Sequence, residues 1–110
     1  MRRHWFYILL SLAERDRHGS AIMRDVLTLT DNTLKLWPVK LYGSLDELCH
    51  EGWIRSVAGP PAGDPDAEGG HAKWFRITAS GKRALAREVA ALDSVVRTAR
   101  HRLAHTGESS

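Results

Sequence analysis

Cysteine is nearly missing from this chain. Cys49 is the single one among 110 residues, so no intrachain disulfide can form and the fold must rest on its own core. Long apolar runs are missing as well: no window approaches the ~18 consecutive apolar residues of a membrane helix, and no membrane partner is expected. The opening Met1-Arg2-Arg3-His4-Trp5-Phe6-Tyr7-Ile8-Leu9-Leu10 pairs a basic start with a short apolar run. Ser11-Leu12-Ala13-Glu14-Arg15 then follows without the extended apolar region of a secretory leader, so a cytoplasmic location is the expectation. No internal repeat is present.

Catalytic groupings are equally scarce. Asp46, Glu47 and Glu51 bring carboxylates near one another, but beside no histidine placed as a ligand or a base, which reads as a helix surface. Cys49 and His50 are adjacent and point in different directions on a helix. A metal would need both rearranged and a further ligand such as His71, so neither an enzyme nor a metal or other cofactor is expected.

What the chain does contain is material for one core and too little for two comfortable domains. Its 43% hydrophobic and 26% charged residues belong to a folded protein, since a disordered segment would be poorer in Leu, Ile and Trp. The formal charge of +3 is unevenly placed. From His71 onward, Lys73, Arg76, Lys82, Arg83, Arg87, Arg97, Arg100 and Arg102 stand against Glu88, Asp93 and Glu108. That excess suits a polyanion or a solvated helix face, and topology must decide between them.

Periodicity supplies the topology. From about Arg3 to Glu14, Trp5, Ile8, Leu9 and Leu12 form the stripe of a helix with one buried face. Asp16-Arg17-His18-Gly19 reads as a turn, and Ser20 as the N-cap of a second helix that carries Ile22, Val26 and Leu29 inward. Thr30-Asp31-Asn32-Thr33 breaks that helix. Pro38 opens a third, with Leu41, Leu45 and Leu48 inward, Lys40, Ser44, Glu47 and Glu51 on or near the other side, and Gly52 as its stop. Trp53-Ile54-Arg55-Ser56-Val57 and Lys73-Trp74-Phe75-Arg76-Ile77 read as two strands. Between them Gly59–Gly70, with three prolines and four glycines, reads as the tip of a long hairpin. Thr78 caps a last helix starting at Ala79, where Leu85, Val89, Leu92, Val96, Ala99 and Leu103 form a heptad-like seam that a second copy of the chain would cover.

The fold expected is mainly α with a small β-hairpin wing: a winged helix-turn-helix domain over 1–78, a C-terminal dimerisation helix over 79–105 and a disordered tail over 106–110. In that arrangement the third helix offers its N-terminal end to base edges in the major groove of double-stranded DNA. Lys40 stands nearest as a base or phosphate contact, in a first turn where the helix dipole disfavours a cation unless something repays it. Gly43 and Ser44 are small enough to let the backbone approach, while Tyr42 can reach a phosphate or plug the gap between helices. Arg55, Lys73 and Arg76 on the wing strands face phosphates or the minor groove. The rival reading is a winged-helix dimer acting as a protein-interaction adaptor without specific DNA binding.

Several stretches together resemble the PadR family of bacterial transcriptional regulators in its short form. They are Phe6-Tyr7-Ile8-Leu9-Leu10-Ser11-Leu12, His18-Gly19-Ser20-Ala21-Ile22, Pro38-Val39-Lys40-Leu41-Tyr42-Gly43-Ser44-Leu45 with Leu48, Glu51-Gly52-Trp53-Ile54, and Trp74-Phe75-Arg76-Ile77-Thr78-Ala79-Ser80-Gly81-Lys82-Arg83-Ala84-Leu85. Three departures from the pattern stand out. Ser20 stands where the family usually has Tyr, Val39-Lys40 where it usually has Gly-Thr, and Trp37 is bulkier than the usual residue before the proline. The resemblance implies a homodimer, joined through its first and last helices, that represses promoters and is released by a ligand. Family effectors include phenolic acids and planar drugs, and Trp5, Trp37 and Trp53 are the candidates to line a site for a small planar aromatic effector.

Overall fold

The computed structural model describes residues 1–59 and 73–108. Of the hairpin tip expected over Gly59–Gly70, all but Gly59 lies outside the described residues.

Three helices come first along the chain: α1 (Arg3–Leu12), α2 (Gly19–Leu29) and α3 (Pro38–His50). Their stripes meet as the periodicity requires. Ile8, Leu9 and Leu12 from α1, Ile22 and Val26 from α2, and Leu41, Leu45 and Leu48 from α3 share one core with Leu36, Ile54, Phe75, Ile77 and Leu85. Each large side chain fully removed from water there contributes roughly 1.5–3 kcal/mol before entropy is charged against it. Leu29 is the exception to the expected α2 stripe: it is 43% exposed, because the stripe runs on past the edge of the core.

The stretch read as a turn before α2 is a short strand. Residues Arg17–His18 form β1, which pairs with β3 (Trp74–Ile77) in the register Arg17↔Phe75 and His18↔Trp74. His18 rather than Ser20 is therefore the N-cap. Its backbone is extended, and its Nδ1 accepts the Ala21 N–H at 3.3 Å. The imidazole is 1% exposed and lies edge-on to the Trp74 ring at 5.1 Å between centroids.

The other helix ends follow their local chemistry. Asp31 takes a positive φ just past α2, and the N–H groups of Asp31 and Asn32 return to the carbonyls of Thr28 and Leu27. The buried Thr30 hydroxyl donates to the Val26 carbonyl at 2.8 Å and accepts the Leu34 N–H at 3.1 Å, fixing the connection to α3. Gly52, at φ 77°, closes α3 in the same manner: its N–H reaches the Cys49 carbonyl and that of Trp53 reaches Leu48.

β2 (Ile54–Val57) lies on the other side of β3, giving an antiparallel sheet of order β1-β3-β2. Trp53 and Lys73 stand just before their strands rather than in them. Thr78 then caps α4 (Ala79–Glu108), its Oγ1 accepting the Gly81 N–H at 3.0 Å while donating to the Gly52 carbonyl. Only the first turns of α4 are packed; beyond Glu88 the helix is exposed through 105. The molecule measures 60 × 27 × 25 Å with a radius of gyration of 17.0 Å. A compact chain of this length would have about 13 Å, so the free part of α4 projects from the domain. The helical backbone also continues through 106 to Glu108, where a tail was expected, since no proline interrupts a ladder that propagates easily once formed. Residues 109–110 lie outside the described residues.

Candidate nucleic-acid interface

Helix α3 turns its first residues outward. Trp37, the N-cap, is 64% exposed and Val39 is 89% exposed, with Lys40 and Gly43 also at the surface. The Lys35 ammonium stands 4.3 Å above the Trp37 ring. Burial first, then the charges of Lys40 and Arg2, hold the His4 imidazole at the start of α1 below its ordinary pKa against the opposing pull of Glu47. Arg2 is paired with Glu47 at 3.0 Å, so Lys35 and Lys40 are the cations beside the exposed turn, the charge a phosphate backbone selects.

Tyr42 is half-exposed and its ring covers the start of α2. A Cβ on Gly19 would stand 2.5 Å from the phenolic oxygen and 2.9 Å from Cζ, so the Gly19 backbone makes room for the ring. The tyrosine thus fills the gap between α2 and α3 and still shows surface to solvent.

Ser44 has to be withdrawn from the expected contact surface. It is 2% exposed, and its hydroxyl donates to the Lys40 carbonyl at 2.8 Å. Position 44 falls three residues after Leu41 and four before Leu48, which puts it on the buried stripe of α3, one turn along from Lys40 at the stripe's exposed edge.

At the wing base, Arg55 and Arg76 are direct partners across β2 and β3, and both are exposed. Like charges directly opposite are unfavourable. Asp16 offsets this by gripping Arg76 bidentately, with Nε to Oδ1 at 3.0 Å and Nη2 to Oδ2 at 2.8 Å, which also holds that guanidinium the more firmly protonated. Arg76 is thus engaged on the protein, whereas Lys73 is exposed immediately before β3.

The three tryptophans expected to line an effector site, Trp5, Trp37 and Trp53, do not converge. Trp5 and Trp53 meet edge-on at 5.7 Å, but Trp37 and Trp53 flank opposite ends of α3. At ~1.5 Å per helical residue they stand roughly 20 Å apart, too far for one planar ligand to touch both. An aromatic cleft exists elsewhere: Met1, Arg3, Phe6, Tyr7, Glu88 and Leu92 line about 330 Å³ between α1 and α4. Sequence reasoning missed Phe6 and Tyr7 because they flank the core stripe of α1, and only the position of α4 makes a cleft of them.

The α4 seam also shifts. Leu85 is 7% exposed and belongs to the core, so it is not free for a partner. Val89, Leu92, Val96 and Leu103 are 47%, 44%, 45% and 71% exposed, Ala99 lies exposed between them, and Val95 at 64% joins them. Val95 precedes a seam position by one residue, where heptad spacing gives no signal.

The family model described as "Transcriptional regulator PadR-like family" matches residues 8–87. The chain belongs to that family. It is a winged helix-turn-helix, DNA-binding regulator of transcription, and not an enzyme. Solved structures share the fold. A transcriptional regulator of Clostridium thermocellum is 22% identical, covering 88% of this chain and 86% of that one, with a TM-score of 0.70. A PadR family transcription regulator of Clostridium difficile is 18% identical over 93% of this chain and 99% of that one, at 0.73. Bacillus subtilis PadR, solved with operator DNA, is 20% identical over 80% of this chain and 47% of that one, at 0.64. No curated protein matches the chain. Among the described residues, no helix of this PadR-family chain is long and apolar enough to cross a membrane.

Proposed function

We propose that this PadR-family chain is a homodimeric repressor, that two copies join along α4 from Val89 onward, and that each lays the first turn of α3 in the major groove of an operator. The observation that carries the reading is the exposed turn Val39-Lys40. An apolar side chain and a cation stand there at the start of a helix, both exposed among the described residues. Lys40 would address a guanine or a phosphate, Gly43 would admit the duplex closely, and Tyr42 would reach a phosphate from its place against Gly19. Arg55 and Lys73 would hold the flanking backbone, and Arg76 would join them by giving up Asp16. That Bacillus subtilis PadR, alike in fold, was solved with operator DNA supports an operator as the partner.

The dimer follows from α4. A row of large apolar side chains each more than two-fifths exposed is costly in water, and a second copy of the same row covers it with two-fold symmetry. A small planar aromatic effector would enter the cleft of Phe6, Tyr7 and Leu92, next to that row, and shift how the two copies sit. Light scattering at micromolar concentration should give twice the chain mass of 12.3 kDa. The double variant Leu92→Arg, Val96→Arg should run at the single-chain mass and lose operator affinity by about a hundredfold or more, because half-site binding then forgoes the effective concentration of the linked partner. A wild type of single-chain mass would end this reading.

A further inference from the structure

Near the far end of α4, His101 and His105 stand one helical turn apart with their Nε2 atoms 3.1 Å from each other. The rings cross at 80°, so the contact is not a stacked pair. We propose that this pair is a two-histidine clip for a borderline divalent cation of the Zn²⁺, Ni²⁺ or Cu²⁺ class.

The bite distance carries the proposal. Zinc-type ions sit ~2.0–2.1 Å from imidazole nitrogen, and two such bonds spanning 3.1 Å subtend roughly 95–100° at the metal, between the octahedral and tetrahedral angles. A hydrogen bond between the rings needs one Nε2 protonated and the other bare. A bound ion takes both lone pairs instead, and the proton of the donor ring moves to its Nδ1. Two imidazoles fill two places of the shell and leave the others to exchangeable ligands. The donor type selects the ion. Mg²⁺ and Ca²⁺ depend on oxygen ligands, while imidazole nitrogen favours the later transition metals.

The clip stays open when α4 is paired. At about 100° per residue, His101 and His105 lie roughly 160–200° around the helix from Leu103, on the face opposite the apolar row. Cysteine and histidine spacing earlier in the chain drew attention to Cys49-His50, whose side chains diverge. The pair at 101 and 105 has the spacing that puts two side chains on one face.

Calorimetric titration of the full chain without an affinity tag, using ZnCl2, NiCl2 and MgCl2, tests this. Zinc and nickel should bind at one ion per chain and magnesium should not. His101→Ala and His105→Ala, both at exposed positions, should each weaken zinc and nickel binding about tenfold or more. Zinc should also slow amide exchange in the last turns of α4 in the wild type and not in the variants, since the clip ties residue 101 to 105. Equal zinc affinity in wild type and variants, or exchange unchanged by zinc in the wild type, overturns the proposal.

Discussion

Gly81→Ala should destabilise the fold by about 2–4 kcal/mol, although alanine is the better helix former by about 1 kcal/mol. The reason is local. A Cβ at position 81 would overlap the carbonyl oxygen of Trp53 and lie 2.8 Å from Ile77 Cγ1. That carbonyl cannot simply retreat, because it accepts the Thr78 N–H at 2.9 Å, and Thr78 also grips the Gly52 carbonyl at 2.6 Å. Overpacking costs typically ~1–3 kcal/mol, and displacing Thr78 removes an N-cap worth ~1 kcal/mol together with a backbone hydrogen bond of similar size. Urea or thermal unfolding would show the loss, as a Tm lower by roughly 10 °C or more. Gly43→Ala is the matched control. Nothing lies within 4 Å of its Cβ position, so alanine there should leave stability unchanged or raise it by up to about 1 kcal/mol. Equal stability of Gly81→Ala and wild type would contradict the packing described.

Lys40→Ala should weaken sequence-specific DNA binding by about 1–3 kcal/mol, roughly 5- to 150-fold, with a smaller loss on non-specific duplex. Anisotropy titrations on both duplexes across a salt series would measure it. If the ammonium meets a phosphate instead of a base, both affinities fall alike and the logarithmic salt slope drops by about 0.9. Arg76→Ala should lower specific and non-specific binding about equally, and by less than a free arginine would, since DNA must first take the side chain from Asp16. If neither substitution changes affinity, the surface assigned to DNA is wrong and the adaptor reading gains.

Much of this fold was legible because helices with one buried face advertise themselves. The spacings of Ile8, Leu9 and Leu12 and of Leu41, Leu45 and Leu48, together with Pro38, Gly52 and Thr78 as punctuation, place α1, α3 and the start of α4. What escaped depends on partners distant in sequence. β1 is two residues long and exists only through Phe75 and Trp74, more than fifty positions away, so no local period marks it and His18 could not be seen as a cap. Ser44 is small and polar, which suits a DNA face and a crowded helix contact alike, and only tertiary packing decides between them. Leu85 satisfies the heptad spacing but lies where α4 still belongs to the core. The tryptophans invited a shared pocket by number alone, while α3 holds Trp37 and Trp53 a helix length apart.

Selection of binding sites from random duplexes bears most directly on the whole. Two α3 helices linked through α4 should enrich a sequence with two-fold symmetry whose half-sites are centred about 10 base pairs, or a multiple, apart. Enrichment of a lone asymmetric half-site, or no enrichment at all, would contradict it.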